Sequence, residues 1–258
     1  MRLQEAADRL GVHYQTAYGW VRGGRLPARM VAGGYDVAEA DVQAFSAERR
    51  LGRKPARNIR VRDWASQASR LYQAIVDGQE TSARRAMERL AGHVTMTDLC
   101  DRVIAPALRR VGEEWHVGHV TIAQEHRATA ICERVIAAQS TQPAGRPRGT
   151  AVVATPQDER HAMPALMAAA CLRENHWHVH HLASDLPAHE ITALAAAISA
   201  NLVVLSTATA TGATRADEAA QLLDAADPGI VVLVGHSGDT LHGLSNRAGD
   251  AHLEKRMG

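Results

Sequence analysis

EWHVGHVTIAQEHR, residues 114–127, holds a tryptophan, nine intervening residues, and then Glu125 and His126. Gly118 is the residue type that follows a helix end, so one helix stops near Val117. Thr121, with Gln124 three positions on, forms a capping box and starts another. Trp115 then sits in the last turn of one helix, and Glu125 and His126 in the second turn of the next. If the two helices pack side by side, an indole, a carboxylate and an imidazole meet at one end of a helical layer. Taken alone, the stretch reads more readily as an interfacial tryptophan beside two solvated polar residues.

Working outward, residues 61–139 carry no strand pattern, and apolar residues recur at spacings of three and four. Helices are expected over 61–77, 80–92, 96–117 and 121–139, broken at Gly78, at Gly92-His93 and at Gly118. Short connections between amphipathic helices specify an antiparallel four-helix bundle. Pro106, inside the third helix, is expected to kink it. A Pro/Gly linker, residues 143–149, closes this region.

From Thr150 the pattern changes to short β-branched runs alternating with alanine-rich helices. Ala151–Thr155, Val179–Leu182, Leu202–Leu205 and Ile230–Val234 read as buried strands, separated by helices near 164–175, 187–199 and 214–226. Such alternation specifies a parallel sheet covered on both faces. Ligands of these sheets bind beyond the carboxyl ends of the strands. Those ends carry Glu159 and His161, then Asp185, then Ser206 and Thr207, then Gly235-His236. No glycine-rich dinucleotide fingerprint is present.

At the other end of the chain, Leu3, Ala6, Ala7 and Leu10 repeat at helical spacing up to Gly11, and Tyr14, Ala17, Tyr18 and Val21 form a second pattern ending at Gly23-Gly24. Two short helices joined by a tight turn make a helix-turn-helix. Residues 26–35 read as two short strands turning at Gly33-Gly34, and Val37 to Val42 opens a third helix containing Phe45. The order helix, turn, helix, wing, helix resembles the MerR/excisionase-type winged-helix domains over residues 2–49. The resemblance implies that Gln15, Thr16 and Tyr18 face bases while Arg22, Arg25 and Arg29 meet phosphates of double-stranded DNA.

The charge distribution agrees. Residues 1–62 hold twelve Arg/Lys against six Asp/Glu, net +6, whereas the remainder is net −5. A polyanion partner is therefore expected for the first quarter alone. Residues 49–62 form a basic, Pro/Gly-broken linker. Cys100, Cys132 and Cys171 lie singly in apolar runs and read as buried thiols of a reducing compartment. With no signal core and no run of eighteen apolar residues, the expected location is the cytoplasm.

A helical bundle followed by a Rossmann-like sheet, with Glu159-x-His161 after the first strand, resembles the cobalamin-binding modules of methionine synthase and its relatives. Their loop reads Asp-x-His-x-x-Gly. The resemblance implies that His161 is the lower cobalt ligand and that Glu159 holds its other ring nitrogen. Residues 180–187 (HHLASDLP) match the end of the family's second strand, Ser206 its Ser-x-Thr/Leu position, and Ala248–Ala251 weakly resembles its last strand. Asp185, Thr207 and Gly235 fall at the neighbouring cofactor positions.

Adding the winged helix and the Trp115-x9-Glu125-His126 element, the whole order is similar to the CarH-type adenosylcobalamin-dependent photoreceptors. The resemblance implies that Trp115, Glu125 and His126 cover the upper cobalt face, and that His116 ligates cobalt after light. It further implies a repressor, not an enzyme, that assembles as a homo-oligomer, a tetramer, on DNA in the dark and dissociates in light when the bundle moves relative to the sheet.

The chain departs from the pattern at Pro164, Ala183 and His236, where glycines are usual, and its C-terminal helix looks short. Two rival readings are a cobalamin-carrying methyltransferase component and a DNA-binding regulator that has lost the vitamin. The expected layout is multidomain α and α/β, with a winged helix over 1–50, a four-helix bundle over 61–140 and a Rossmann-like cobalamin-binding sheet domain over 150–258.

Overall fold

The computed structural model describes residues 1–10, 14–22, 26–31, 34–50 and 63–257, with side chains described up to residue 46 in the third helix and up to residue 250 in the last. Two compact units divide at Arg60/Val61.

The first unit contains α1 (Leu3–Arg9), α2 (Tyr14–Arg22), β1 (Arg29–Val31), β2 (Gly34–Asp36) and α3 (Glu39–Arg50). β1 and β2 pair antiparallel with Arg29 opposite Asp36 and Met30 opposite Tyr35. The helical spacing of the small apolar residues has a direct consequence: Leu3, Ala6, Ala7 and Ala17 close on Leu26, Val37, Val42 and Phe45 as one core. The rings of Trp20 and Phe45 add a tilted contact at 5.0 Å between centroids.

The second unit opens with α4 (Trp64–Val76), α5 (Glu80–Ala91) and α6 (Met96–Leu99). Asp63 caps α4 by accepting from the Ser66 amide at 2.9 Å. Where one continuous third helix is expected, a π-helical turn at Cys100–Ile104 separates α6 from α7 (Ala105–His116). The cause is Pro106, which has no amide to give the carbonyl one turn back. Ala105 instead bonds to the Cys100 carbonyl, five residues earlier, so the expected kink appears as a wider turn. α7 ends at Val117, Gly118 takes φ 81°, and α8 (Ile122–Gln139) begins at Thr121 with both halves of its capping box made.

The sheet contains β3 (Thr150–Ala154), β4 (His178–His181), β5 (Leu202–Ser206) and β6 (Val231–Gly235), interleaved with α9 (Ala162–Glu174), α10 (Ala188–Ala197) and α11 (Ala210–Ala226) and followed by α12 (Leu241–Met257). All pairings are parallel in the order β4-β3-β5-β6. Alternation at period two sends Ala151, Val153, Leu202 and Val204 toward α9 and α12. Val152, Ala154, Val203 and Leu205 go to the opposite face, against Ile191, Ala195, Ala216, Ala219 and Leu223 of α10 and α11.

Residues 248–250, placed in a last strand by resemblance, lie instead in α12, which runs for 17 residues. Leu244 and Ala248, four apart, are both buried against the sheet, and that spacing is helical. The C-terminal helix is therefore not short, as the sequence pattern suggests, but takes in this stretch.

α9 explains how bundle and sheet become one body. Its Ala165, Ala168, Ala169 and Leu172 face the sheet. Met167, Ala170 and Cys171 face the bundle core formed by Leu71, Ile75, Met87, Ile131 and Ile136. A helix apolar on every side has to be covered on every side. Cys100 and Cys132 share that core, where burial pushes the Cys132 thiol up to about 12. These are packing thiols.

Ala183 adopts φ 61° in the turn after β4, the left-handed region that glycine enters freely. The strain costs an L-residue roughly 1–2 kcal/mol, against about 0.4–1 kcal/mol that glycine returns as unfolded-chain entropy. Ala183→Gly is therefore expected to stabilise the second unit by roughly 0.5 kcal/mol, read as a raised urea midpoint with unchanged slope.

Candidate functional site

Strand order reverses between β3 and β5: the chain leaves β3 toward one edge and β5 toward the other. Side chains at the carboxyl ends of these two strands share a crevice, which is where open parallel sheets hold ligands. Glu159, in the β3–α9 loop, has a side chain with no exposure to solvent. One of its oxygens accepts from the His161 amide at 3.0 Å and from His161 Nδ1 at 2.6 Å. The other accepts from the amides of Ala208 and Thr209, at 2.8 and 2.9 Å, and from the Thr209 hydroxyl at 2.9 Å. Burial alone would raise this carboxyl, but the bonds from Ala208, His161 and Thr209 outweigh it and hold the group at about 2.

An ionised carboxylate can only accept, so His161 must carry its proton on Nδ1. In the neutral ring Nε2 then keeps its lone pair, on a side chain that is 62% exposed. An imidazole held through one nitrogen by a carboxylate and open at the other is the arrangement found at metal-ligating histidines. In this respect His161 would suit a ligand to cobalt.

Several residues in the network carry no signal in the sequence pattern. Thr155, fully buried at the end of β3, donates to the Glu159 carbonyl and accepts from the Asp185 amide. Asp185, at φ 63°, in turn accepts from the Asp158 amide at 2.8 Å. Thr209 supplies two of the five donors to Glu159. A Cβ at Gly212 would lie 2.4 Å from a Glu159 oxygen, so that glycine makes room for the carboxylate. A reader of the sequence could have noticed Thr209-x-x-Gly212 after the third strand, but nothing there points back to Glu159.

Other expected positions are placed differently. Ser206 and Thr207 are buried rather than displayed. Thr207 donates its amide to the Gly235 carbonyl at 2.8 Å and its hydroxyl meets both that carbonyl and His236 Nδ1, at 3.2 and 3.3 Å. His236 therefore occupies the β5–β6 end where a glycine was expected. Pro164 falls in the first turn of α9, where a missing amide costs nothing.

At the α7–α8 corner, Trp115 is 48% exposed, joined by exposed Val117 and Ile122. Glu125 holds His126 Nδ1 at 2.8 Å and accepts from the Thr129 hydroxyl. Glu114 holds His119 Nδ1 at 2.8 Å, a pairing outside the expected set, and His116 is exposed. This corner presents apolar surface rimmed by imidazoles, and it lies on different elements from the Glu159 network.

In the first unit Gln15, Thr16, Arg22 and Arg29 are exposed, and Arg25 lies outside the described residues. Tyr18 is half-buried, stacked on Tyr14 at 6.1 Å and edge-on to Tyr35 at 5.9 Å. A hydrogen bond that Arg22 donates to the Tyr18 hydroxyl oxygen raises its guanidinium above the ordinary value, so the two side chains act together. The basic linker at 51–62 lies outside the described residues. Among the described residues, no helix is long and apolar enough to cross a membrane.

Residues 1–50 match a helix-turn-helix domain family and residues 67–138 a B12 binding domain family. The chain is 33% identical over 144 residues to the HTH-type transcriptional repressor CarH of Myxococcus xanthus, which covers 55% of this chain and 48% of that protein. It therefore spans about half the length of this curated relative. The monomethylamine corrinoid protein of Methanosarcina barkeri superposes with a TM-score of 0.57 at 14% identity, covering 73% of this chain and 98% of that one. That likeness concerns the fold.

Because Glu159 is held near 2, well below an unfolded glutamate near 4.3, its contribution is present above the unfolded value and is lost as pH falls through about 2. Wild-type stability is expected to drop between those limits by on the order of 3 kcal/mol. Glu159→Gln should be less stable at neutral pH and lack this part of the acid slope, as followed by urea unfolding against pH. Taken together, the chain holds a helix-turn-helix domain and a B12 binding domain, and over 144 residues it is similar to the repressor CarH.

Proposed function

We propose that the protein is a light-responsive transcriptional repressor that uses adenosylcobalamin as its chromophore, is not an enzyme, and works in the cytoplasm. The observation carrying this reading is His161, held by the buried Glu159 with Nε2 free, in a chain that also has a DNA-binding unit. Three parts divide the labour: a winged helix over 1–50, the bundle over 61–140 and the sheet domain over 150–258. When bound, adenosylcobalamin supplies a cobalt–carbon bond that visible light breaks.

His161 would ligate from the sheet side, with Asp185, Ser206, Thr207 and Gly235 lining the strand ends. Trp115 would cover the opposite side, Glu125 would accept hydroxyl protons of the adenosyl ribose, and His126 would flank it. His116 is the imidazole proposed to move inward once the adenosyl group has gone. Gln15, Thr16 and Tyr18 would face bases, and Arg22, Arg25 and Arg29 phosphates. Several winged helices held in one assembly, a tetramer by resemblance, would bind an operator by avidity.

Strain at Ala183 and the His236–Thr207 contact favour a second reading, a regulator whose sensor no longer takes the vitamin. Reconstitution with adenosylcobalamin separates the two. The proposed reading expects a visible spectrum with histidine ligation that His161→Ala abolishes and Thr209→Val, which keeps the amide but loses the hydroxyl, perturbs. No spectrum with wild-type protein would favour the second reading.

Sedimentation in the dark should show an assembly that illumination dissociates, with Trp115→Ala weakening the dark form. Operator affinity should fall steeply with salt. Arg22→Ala is expected to weaken all sequences alike, whereas changes at Gln15 alter preference. An assembly identical in dark and light with vitamin bound would refute the switch.

A further inference from the structure

β4 is an edge strand, and the chain entering and leaving it reads His176-Trp177-His178-Val179-His180-His181. Successive side chains of a strand point to opposite faces of the sheet. Trp177 is buried, and Val179 packs, on the face covered by α9 and α12. His181 is registered against Val153 of that same face, and its Nε2 is buried without a partner among the described residues. His178 and His180 therefore share the other face, where His180 lies beside Val152. There α10 covers β3, and at the sheet margin His178 is exposed and His180 half-buried.

The two rings meet edge-on, with centroids 4.8 Å apart and planes at 84°. Two imidazoles that share one ion through bonds of about 2.0–2.1 Å, at angles from square to tetrahedral, have centres about 4.5–5.2 Å apart. The observed spacing falls within that range, so chelation asks for ring rotation and no movement of the backbone. Among the described residues neither ring has a hydrogen-bonding or charged partner, so each neutral ring has a nitrogen lone pair to give. Polar residues on an edge strand also discourage pairing with another sheet, but any charged side chain serves that purpose. Two imidazoles at adjacent positions of one face make a chelate as well.

We propose that His178 and His180 form a two-histidine site for a divalent transition-metal ion of the zinc, nickel or copper kind. Imidazole suits these ions, whereas magnesium and calcium take oxygen ligands. No third His, Cys, Asp or Glu joins the pair among the described residues, so water fills the remaining positions. The site is separate from the ligand crevice. It sits at the start of β4, whereas the crevice lies beyond the carboxyl ends of the strands. The inference goes beyond the function proposed above and stands without it.

Zinc chloride added to the full-length, vitamin-free protein tests the site, with the histidine ring nitrogens followed by long-range proton–nitrogen NMR. His178 and His180 should shift together and saturate at one ion per chain, before the exposed His116, His119, His126 and His189 respond. His178→Gln, at an exposed position, should weaken zinc binding by on the order of 100-fold, because losing one ring removes the intramolecular second bond. His180→Gln should do the same with an unchanged backbone amide spectrum, and His189→Gln should leave the affinity as it is. Magnesium chloride at the same concentration should shift neither ring.

Shifts of His178 and His180 that follow separate curves would show single-ring, adventitious binding and overturn the site. Shifts that come no earlier than those of the other exposed histidines would do so too, as would a zinc affinity unaltered in His178→Gln.

Discussion

The structure of the sheet half depends on a carboxylate kept out of water. Glu159 is tolerable in its position because both oxygens are fully used, by donors that come from two loops rather than one. An ion stripped of solvent without such partners would cost several kcal/mol or would neutralise. Here the donors arrive from the ends of β3 and β5, the pair of strands between which the topology reverses. The same bonds that stabilise the charge therefore tie together the two lips of the ligand crevice. They also decide the tautomer of His161, because an acceptor-only neighbour leaves the ring no alternative. One buried charge thus sets loop geometry, the tautomer of the neutral ring and the direction in which its lone pair is offered.

Around that centre, small residues are used where elements approach closely. α9 is rich in alanine because it is covered on two sides, by the sheet through one stripe and by the bundle through another. Gly212 is needed for the same reason of space, at the carboxylate itself. Ala183 and His236 go against this economy. The first accepts a left-handed backbone without being glycine, and the second fills a strand end by bonding Thr207. Both lie near the crevice, where local strain tends to gather.

The bundle contributes a different kind of surface. Its base is continuous with the sheet half, whereas the α7–α8 corner exposes Trp115, Val117 and Ile122 beside carboxylate-held imidazoles. Exposed large apolar groups in one place mark a surface that expects to be covered. The winged-helix unit, built on its own core, supplies exposed arginines and a hairpin. The winged-helix unit and the bundle with its sheet are thus separately packed parts of one chain.

Much of this architecture was legible in the residues. Helical spacing, the Thr121–Gln124 capping box, Gly118 and the alternating β-branched runs each act locally, so they specified the bundle, the corner and the parallel sheet without reference to anything distant. The pairing of Glu159 with His161 was implied by the resemblance of their loop to the Asp-x-His of cobalamin-binding modules, and it too is local, the two being two residues apart. What tertiary structure decided is whatever depends on elements far apart in sequence. Thr155, Thr209 and Gly212 join the Glu159 network only after β3 and β5 lie side by side. Asp101 and Glu174 become caps only when bundle and sheet meet, across 140 and 78 residues of chain. Residues 248–250 became helix because Leu244 and Ala248 found the sheet, and Pro106 produced a π-helical turn because its missing amide had to be absorbed inside a packed core. Local pattern reports which element forms; only packing reports which buried group satisfies which other.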